Sequence, residues 1–451
     1  MAKTDGTEDT DQPSLKRTQA EDASSLEGKF SLARYSHAWR ALRHRNFRLF
    51  FGGQSISLIG TWMTRIATAW LVYRLTHSAL LLGTVSFVGQ LPVFLLAPVA
   101  GVWIDRLNRH TVLLWTQALA MVQSLLLAAL TLTHRIHLTD LMVLAVFQGV
   151  INAFDMPARQ SFMVQMVESR DDLQNAIAIN SSMANLARLV GPSLAGLIIA
   201  LSSEGYCFLI DGLSYIAVIA SLLLMQIVVA ARVPDKATMV EQLREGWSYV
   251  SSFVPIRCIL LLFAILSLVG WPFVVLMPIF AVKVLGGGPN TLGFLMGAVG
   301  VGALVSALVL VVRRSPRGLT RLIPLAAVLF GLGLLAFGSS QTMWLSMLLM
   351  LVTGYGMMQG LTASNTVIQT LVEEKMRGRV MSYYAVAFVG MAPFGSLLAG
   401  WMAHQIGAAR TVQIDGLVCM LAAGWFCTQL PAIRRQMRPV YEELGIVPRR
   451  N

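Results

Sequence analysis

Four charged side chains stand well inside the span of long apolar runs of this sequence, away from their ends: Arg65, Asp155, Arg159 and Arg188. A charge at the centre of a bilayer costs about 2.5–3.5 kcal/mol on insertion scales, so such residues face a polar cavity or one another. Asp155 and Arg159 are four apart and share a helix face, where they can pair. A buried carboxylate beside a movable cation takes up or releases a proton as its surroundings change. Asp155 is therefore the candidate proton carrier, through a movable pair with Arg159 or Arg188. A fixed ion pair, or a gate contact to Arg106 and Arg109, is the competing reading. Arg65, within Trp62-Met-Thr-Arg65, points to an anionic group on a cargo, against the alternative that it reaches out to the interface or pairs with an acidic helix end. Gln54, Asn180, Arg188 and Gln359 complete the polar residues expected along a central cavity.

Other chemistry has no residues to carry it. There is no His-Glu-x-x-His, no aspartate dyad, no Gly-x-Ser-x-Gly and no phosphate-binding Gly-x4-Gly-Lys-Ser/Thr loop. Cys207, Cys258, Cys419 and Cys427 match no disulfide or metal spacing, and His134 and His137 lack an acidic surround beyond Asp140. No catalytic residue, metal or cofactor is expected, and an ion gradient is the energy source to consider.

The elements that must position these residues are legible in the composition. The chain has 451 residues, 55% hydrophobic and 13% charged, with a mean hydropathy of +0.64, against about 25% charge in a soluble domain. A spanning helix needs roughly 20 apolar residues. Twelve such runs occur: 47–73, 80–104, 111–133, 139–165, 174–201, 206–230, 257–283, 291–313, 320–338, 342–370, 380–404 and 411–430. The net charge of +12 does not read as nucleic-acid binding. Arginines crowd the amino terminus and every second loop, while the other loops hold only Arg74, Arg135, Lys283 and Arg410. That bias places both termini in the cytoplasm. The first 46 residues contain no apolar signal core, so the first span is expected to serve as the insertion signal.

The chain also repeats itself. Ile210-Asp211-Gly212-Leu213 recurs 204 residues later as Ile414-Asp415-Gly416-Leu417, and Gly191 with Leu194-Ala195-Gly196 recurs at the same offset as Gly395 with Leu398-Ala399-Gly400. This divides the chain into a disordered amino-terminal segment (1–37), a six-helix bundle (38–230), a linker (231–256), a second six-helix bundle (257–432) and a basic tail (433–451) that touches anionic lipid. Within the linker, Leu243, Trp247 and Val250 give one apolar face, expected to lie on the membrane surface. Asp211 and Asp415 fall just inside the outer interface, where helix capping or outer-gate pairing is expected.

Two motifs make the pattern specific. Gly101-Val-Trp-Ile-Asp105-Arg106-Leu-Asn-Arg109-His110 follows the second run, and Gly191-Pro192-Ser-Leu-Ala195-Gly196 lies in the fifth. The first resembles the loop signature of the major facilitator superfamily, although no glycine follows Arg106 and His110 replaces a basic residue. The second resembles that superfamily's drug–proton antiporter motif. Ala41-Leu-Arg-His-Arg-Asn-Phe-Arg-Leu-Phe50, Phe154-Asp155-Met-Pro157-Ala-Arg159-Gln160 and Arg377-Gly-Arg-Val-Met-Ser-Tyr383 look like the exporter branch that includes enterobactin exporters and macrolide efflux proteins. The likeness covers about residues 38–432. It implies an all-α membrane protein of twelve transmembrane helices in two six-helix repeats, multi-pass in a bacterial inner membrane. It implies proton-coupled export of a small amphiphile, such as a siderophore or drug, by alternating access. A lysophospholipid or lipid flippase of the same fold is the alternative. Gly101, Asp105, Arg106, Arg109 and Arg159 would form the cytoplasmic gate. The implied partners are the amphiphile, protons and membrane lipid, without nucleic acid, and a monomer is expected.

Overall fold

A computed structural model describes residues 40–163, 165–167, 170–226, 239–312 and 317–443. Lipid offers backbone groups no hydrogen-bond partner, so apolar runs of this length satisfy themselves as helices. Six lie in the first half: α1 (Arg45–Thr76), α2 (Ala79–Arg106), α3 (Arg109–Leu132), α4 (Leu138–Met163), α5 (Arg170–Leu201) and α6 (Glu204–Leu223). A shorter helix follows, α7 (Met239–Ser252). Six lie in the second half: α8 (Val254–Val284), α9 (Pro289–Val312), α10 (Leu319–Ser339), α11 (Met343–Leu371), α12 (Met376–Ile406) and α13 (Ala408–Glu443). Eleven helices among the described residues are apolar enough to cross a membrane. The twelfth span is α1, which is 32 residues long but carries Arg48, Arg65 and Arg74.

Short turns join the spans because local caps end them. His77 closes α1 in a left-handed conformation, φ 50°, with its N–H on the Tyr73 carbonyl. Ser78 Oγ then accepts the Leu81 N–H at the start of α2, and Asn108 Oδ1 accepts the His110 N–H at the start of α3.

Each half folds into its own lobe. In the first, α1 packs on α5 and α6, α3 on α4 and α6, and α2 on α4; in the second, α11 packs on α9 and α10, and α13 on α8 and α10. Two crossings carry most of the packing between lobes: α5 on α9 and α2 on α12. In both, main chain meets main chain toward one face, and at the second Phe87 and Phe94 of α2 also pack on Phe394 of α12. A methyl group added at Gly293 would lie 2.9 Å from Gly196 Cα and 3.0 Å from the Pro192 carbonyl. One added at Gly400 would lie 2.8 Å from Gly83 Cα. These four glycines sit toward the face that carries the α1–α2 and α5–α6 turns. On the opposite face, which carries both described chain ends and α7, α4 and α11 make no comparable packing across the divide among the described residues.

The 204-residue repeat reappears in these contacts. Gly191 on α5 packs against Ile59 and Trp62 of α1, and its counterpart Gly395 on α12 packs against Leu268 and Pro272 of α8. Gly196 meets α9, and its counterpart Gly400 meets α2.

The helices depart in places from the apolar runs read in the sequence. α8 and α12 are not regular: π-helical stretches occur at Leu266–Gly270, Phe280–Val284 and Val386–Gly390. Such turns leave backbone groups out of the ladder, and Ser267 Oγ donates to one of them, the Phe388 carbonyl. The sixth span ends at Leu223, and residues 227–230 lie outside the described residues. The last helix runs well beyond residue 432, through Ile433 and Met437, which are buried, to Glu443. Residues 1–37, most of the linker before α7, and 444–451 lie outside the described residues. α7 buries Val250 and packs Gly246 against Tyr383, while Trp247 is 60% exposed and tilts over the Tyr383 ring. Leu243's side chain lies outside the described residues. Three of the four cysteines are buried, and Cys427 is exposed.

Candidate cargo and coupling sites

α1 and α5 bring together two of the residues singled out in the sequence. Gly191 lets the two helices approach at Trp62, one turn before Arg65 and close to Arg188. The Arg65 guanidinium lies 4.8 Å from the Trp62 ring centroid, and the Arg188 guanidinium lies 5.2 Å from the same ring. At 1.5 Å rise per residue, Arg65 and Arg188 are about 16 Å and 20 Å from the turn-bearing face, near mid-bilayer. Neither has a carboxylate partner among the described residues, and Arg188 Nε and Nη1 are buried without an acceptor. Arg65 is exposed. Attraction to an aromatic face returns about 0.5–2 kcal/mol, less than the 2.5–3.5 kcal/mol cost of a mid-bilayer charge. The pair is therefore stable only where water or a ligand reaches it.

Asp155 and Arg159 form the expected pair. The carboxylate is 4% exposed and also accepts from Thr116 Oγ1 at 3.0 Å and Gln117 Nε2 at 2.7 Å. It thus ties α4 to α3, about 25 Å below the turn-bearing face. Arg188 is not part of this cluster; it sits at Trp62. Nearby, Arg109 Nη1 donates to the Ser161 carbonyl at 3.4 Å. Gly101 lies on α2, and the side chains of Asp105 and Arg106 lie outside the described residues. His110, which departs from the superfamily's signature, bonds through Nε2 to the Leu222 carbonyl at 2.8 Å.

The two aspartates of the repeat lie deeper than expected. Asp211 and Asp415 are each 2% exposed, about 10 Å inside their helices, so neither caps a helix at the surface. Asp211 Oδ2 accepts from Thr64 Oγ1 at 2.9 Å and Ser124 Oγ at 2.6 Å, stitching α6 to α1 and α3. Asp415 Oδ2 has no hydrogen-bond partner. At the turn-bearing surface Glu204 pairs with Arg74 at 2.9 Å, and Asp140 accepts from the His137 N–H at 2.9 Å.

The remaining polar candidates divide. Gln359 is buried and its Oε1 accepts from Ser306 Oγ at 2.8 Å, a bond between α9 and α11 within the second lobe. Gln54 is buried on α1, and Asn180 is half-buried on α5. In the second lobe, Phe263, Trp271, Phe330, Met357 and Phe388 surround a small cavity beside the π-helical turns. Sequence reading missed Trp62 as part of the site. Its spacing of three from Arg65 puts both on one helix face, but its meeting with Arg188 depends on helix packing across more than a hundred residues.

Two six-helix lobes, crossing at glycines on one side and enclosing charged residues at mid-depth, define a transporter of the major facilitator superfamily. Within it the chain belongs to the transmembrane secretion effector family, whose profile matches residues 36–441. The staphyloferrin A transporter of Staphylococcus aureus is 25% identical over 88% of this chain and 98% of that protein. The multidrug efflux pump Tap of Mycolicibacterium fortuitum is 27% identical over 83% of this chain and 93% of its own length. A bacterial homologue of the human lysosomal transporter Spinster, solved in an inward-facing, unoccupied conformation, superposes with a TM-score of 0.67 at 12% identity, over 90% of this chain and 98% of its own. This protein is a multi-pass membrane transporter of small substrates and not an enzyme.

Proposed function

We propose that the protein exports a small amphiphile across a bacterial inner membrane by alternating access, driven by inward proton movement. The observation that carries this reading is the one-sided seam: the lobes meet through glycines near the turn-bearing face and are not comparably packed near the other. The named relatives, a siderophore transporter and a drug efflux pump, support export. Arginine placement supports the orientation. Arg40, Arg43, Arg45, Arg48, Arg109, Arg244, Arg321, Arg379, Arg434, Arg435 and Arg438 belong to the face with the chain ends, which becomes the cytoplasmic side. On that assignment this conformation is open to the cytoplasm, ready for cargo.

Asp155 is the proposed proton carrier. Here it holds Arg159, Thr116 and Gln117. Coupling through it requires the Arg159 pair to open as the lobes swing, so that proton uptake and cargo release fall in different conformations. Gly101, Asp105, Arg106 and Arg109, with Arg159, are the proposed cytoplasmic gate that closes when the seam opens. The test is transport in proteoliposomes under an imposed pH gradient, scanning siderophores, macrolides and lysolipids. Gradient-driven movement of a soluble amphiphile, lost in Asp155→Asn while cargo binding persists, is the expected result. Movement of labelled lysolipid alone would replace the reading with a flippase, and coupling unchanged in Asp155→Asn would remove that residue's role.

A further inference from the structure

We propose that Arg65 and Arg188, which share the Trp62 ring, bind an anionic group of the cargo, so that the transported molecule is an acid carried on an apolar body. The inference rests on the transport reading above and names the class of cargo it serves. Two guanidiniums from different spans, 4.8 and 5.2 Å from one indole ring, concentrate positive charge at mid-bilayer. In the first lobe Asp155 pairs with Arg159, and Asp211 accepts from Thr64 and Ser124 through Oδ2 while its Oδ1 has no partner; neither carboxylate bonds to Arg65 or Arg188. Arg188 keeps Nε and Nη1 buried and without an acceptor, while Arg65 is accessible. One arginine is thus fixed in the wall and the other can be reached. A guanidinium presents a planar fork of donors that matches a carboxylate. A single anion would satisfy the orphaned donors and relieve the repulsion between the two cations.

Two helices of the other lobe offer no rival charge. α9 and α11 contain no charged residue at all, and the second lobe's cavity is lined by Phe263, Trp271, Phe330 and Phe388. A cargo with charge at one end and an apolar or aromatic body fits this division, whereas a cation would meet two like charges.

The experiment uses the purified full chain in detergent and two probes that differ only in charge, dansyl-phenylalanine and its methyl ester. The acid is expected to bind at least about tenfold more tightly than the ester, the scale of a hydrogen bond to a charged group. Arg65→Gln and Arg188→Gln should each reduce that preference to about threefold or less without weakening the ester. Lysine at either position should retain most of it, which a purely structural brace on Trp62 would not require. Acid-specific quenching of tryptophan emission should disappear in Trp62→Phe. Displacement of the acid probe by benzoate but not benzamide is a measurement on the unaltered chain, and it stands even if the glutamine variants fail to fold. Equal displacement by both, equal or absent binding of acid and ester, or glutamine variants that keep the acid preference would each overturn the inference. Transport separates the two readings. Variants that lose the preference yet still move the ester along an imposed pH gradient affirm the site, whereas an unaltered chain that binds the acid selectively but moves neither probe refutes the transport reading alone.

Discussion

The two lobes share a backbone plan and differ in what fills it. At the repeated aspartate, the first lobe gives Asp211 two hydroxyl donors, and the second leaves Asp415 Oδ2 with none. At mid-depth the first lobe holds Arg65, Arg188 and Trp62, while the second packs aromatic rings around π-helical turns. Duplication therefore preserved the crossings, where any side chain would collide, and left the interiors free to diverge. The first lobe is built for ions, and the second for shape and bending.

The largest test of this contrast lies in the first lobe's ion cluster. Asp155→Ala leaves Arg159 without its acid in a largely buried setting and should destabilise the protein by about 3 kcal/mol or more, read as a fall in thermal unfolding temperature in detergent; Asp155→Asn should cost less. If the alanine variant is as stable as the unaltered chain, the cluster is not an anchor. Next come the equivalent glycines. Gly191→Val and Gly395→Val should each cost about 1–3 kcal/mol by overpacking, because each meets a neighbouring helix at van der Waals limits. A marked inequality between them would show that the lobes are less alike than their contacts indicate. The aspartates sharpen the comparison further. Asp211→Ala should cost about 1–3 kcal/mol by orphaning Thr64 and Ser124; Asp415→Asn should be neutral or stabilising, since it removes a buried acid with no bonds to lose. Equal losses at the two positions would erase the distinction drawn here. The smallest effect is at α7. Glu245 pairs with Arg379 but is 62% exposed, so Glu245→Gln should change stability by less than about 1 kcal/mol, and increasingly little as salt is raised.

Much of this plan was legible in the sequence, and particular residues show why the rest was not. Span positions follow from apolar length, and the one-offset repeat contains Gly196 and Gly400, but their partners Gly293 and Gly83 are set by packing between lobes, where close backbone approach needs residues without Cβ. The Asp155–Arg159 pair followed from helical spacing. The π-helical turns in α8 and α12 did not, and two of them meet only in the fold, where Ser267 of one helix donates to the Phe388 carbonyl of the other. Trp62 was overlooked because its second cation comes from α5. Asp211 and Asp415 were placed too near the surface, as hydropathy marks where a span begins but not whether a polar side chain one third of the way in will find donors.

The glycine crossings carry one more consequence. The seam's glycines carry no side chain with which to recognise cargo, and Arg188, which would bind it through its guanidinium, meets Gly300 of α9 through its backbone carbonyl. Hinge and selectivity are thus written in separate alphabets, so the pocket can be rewritten for a new molecule while the motion that empties it is left untouched.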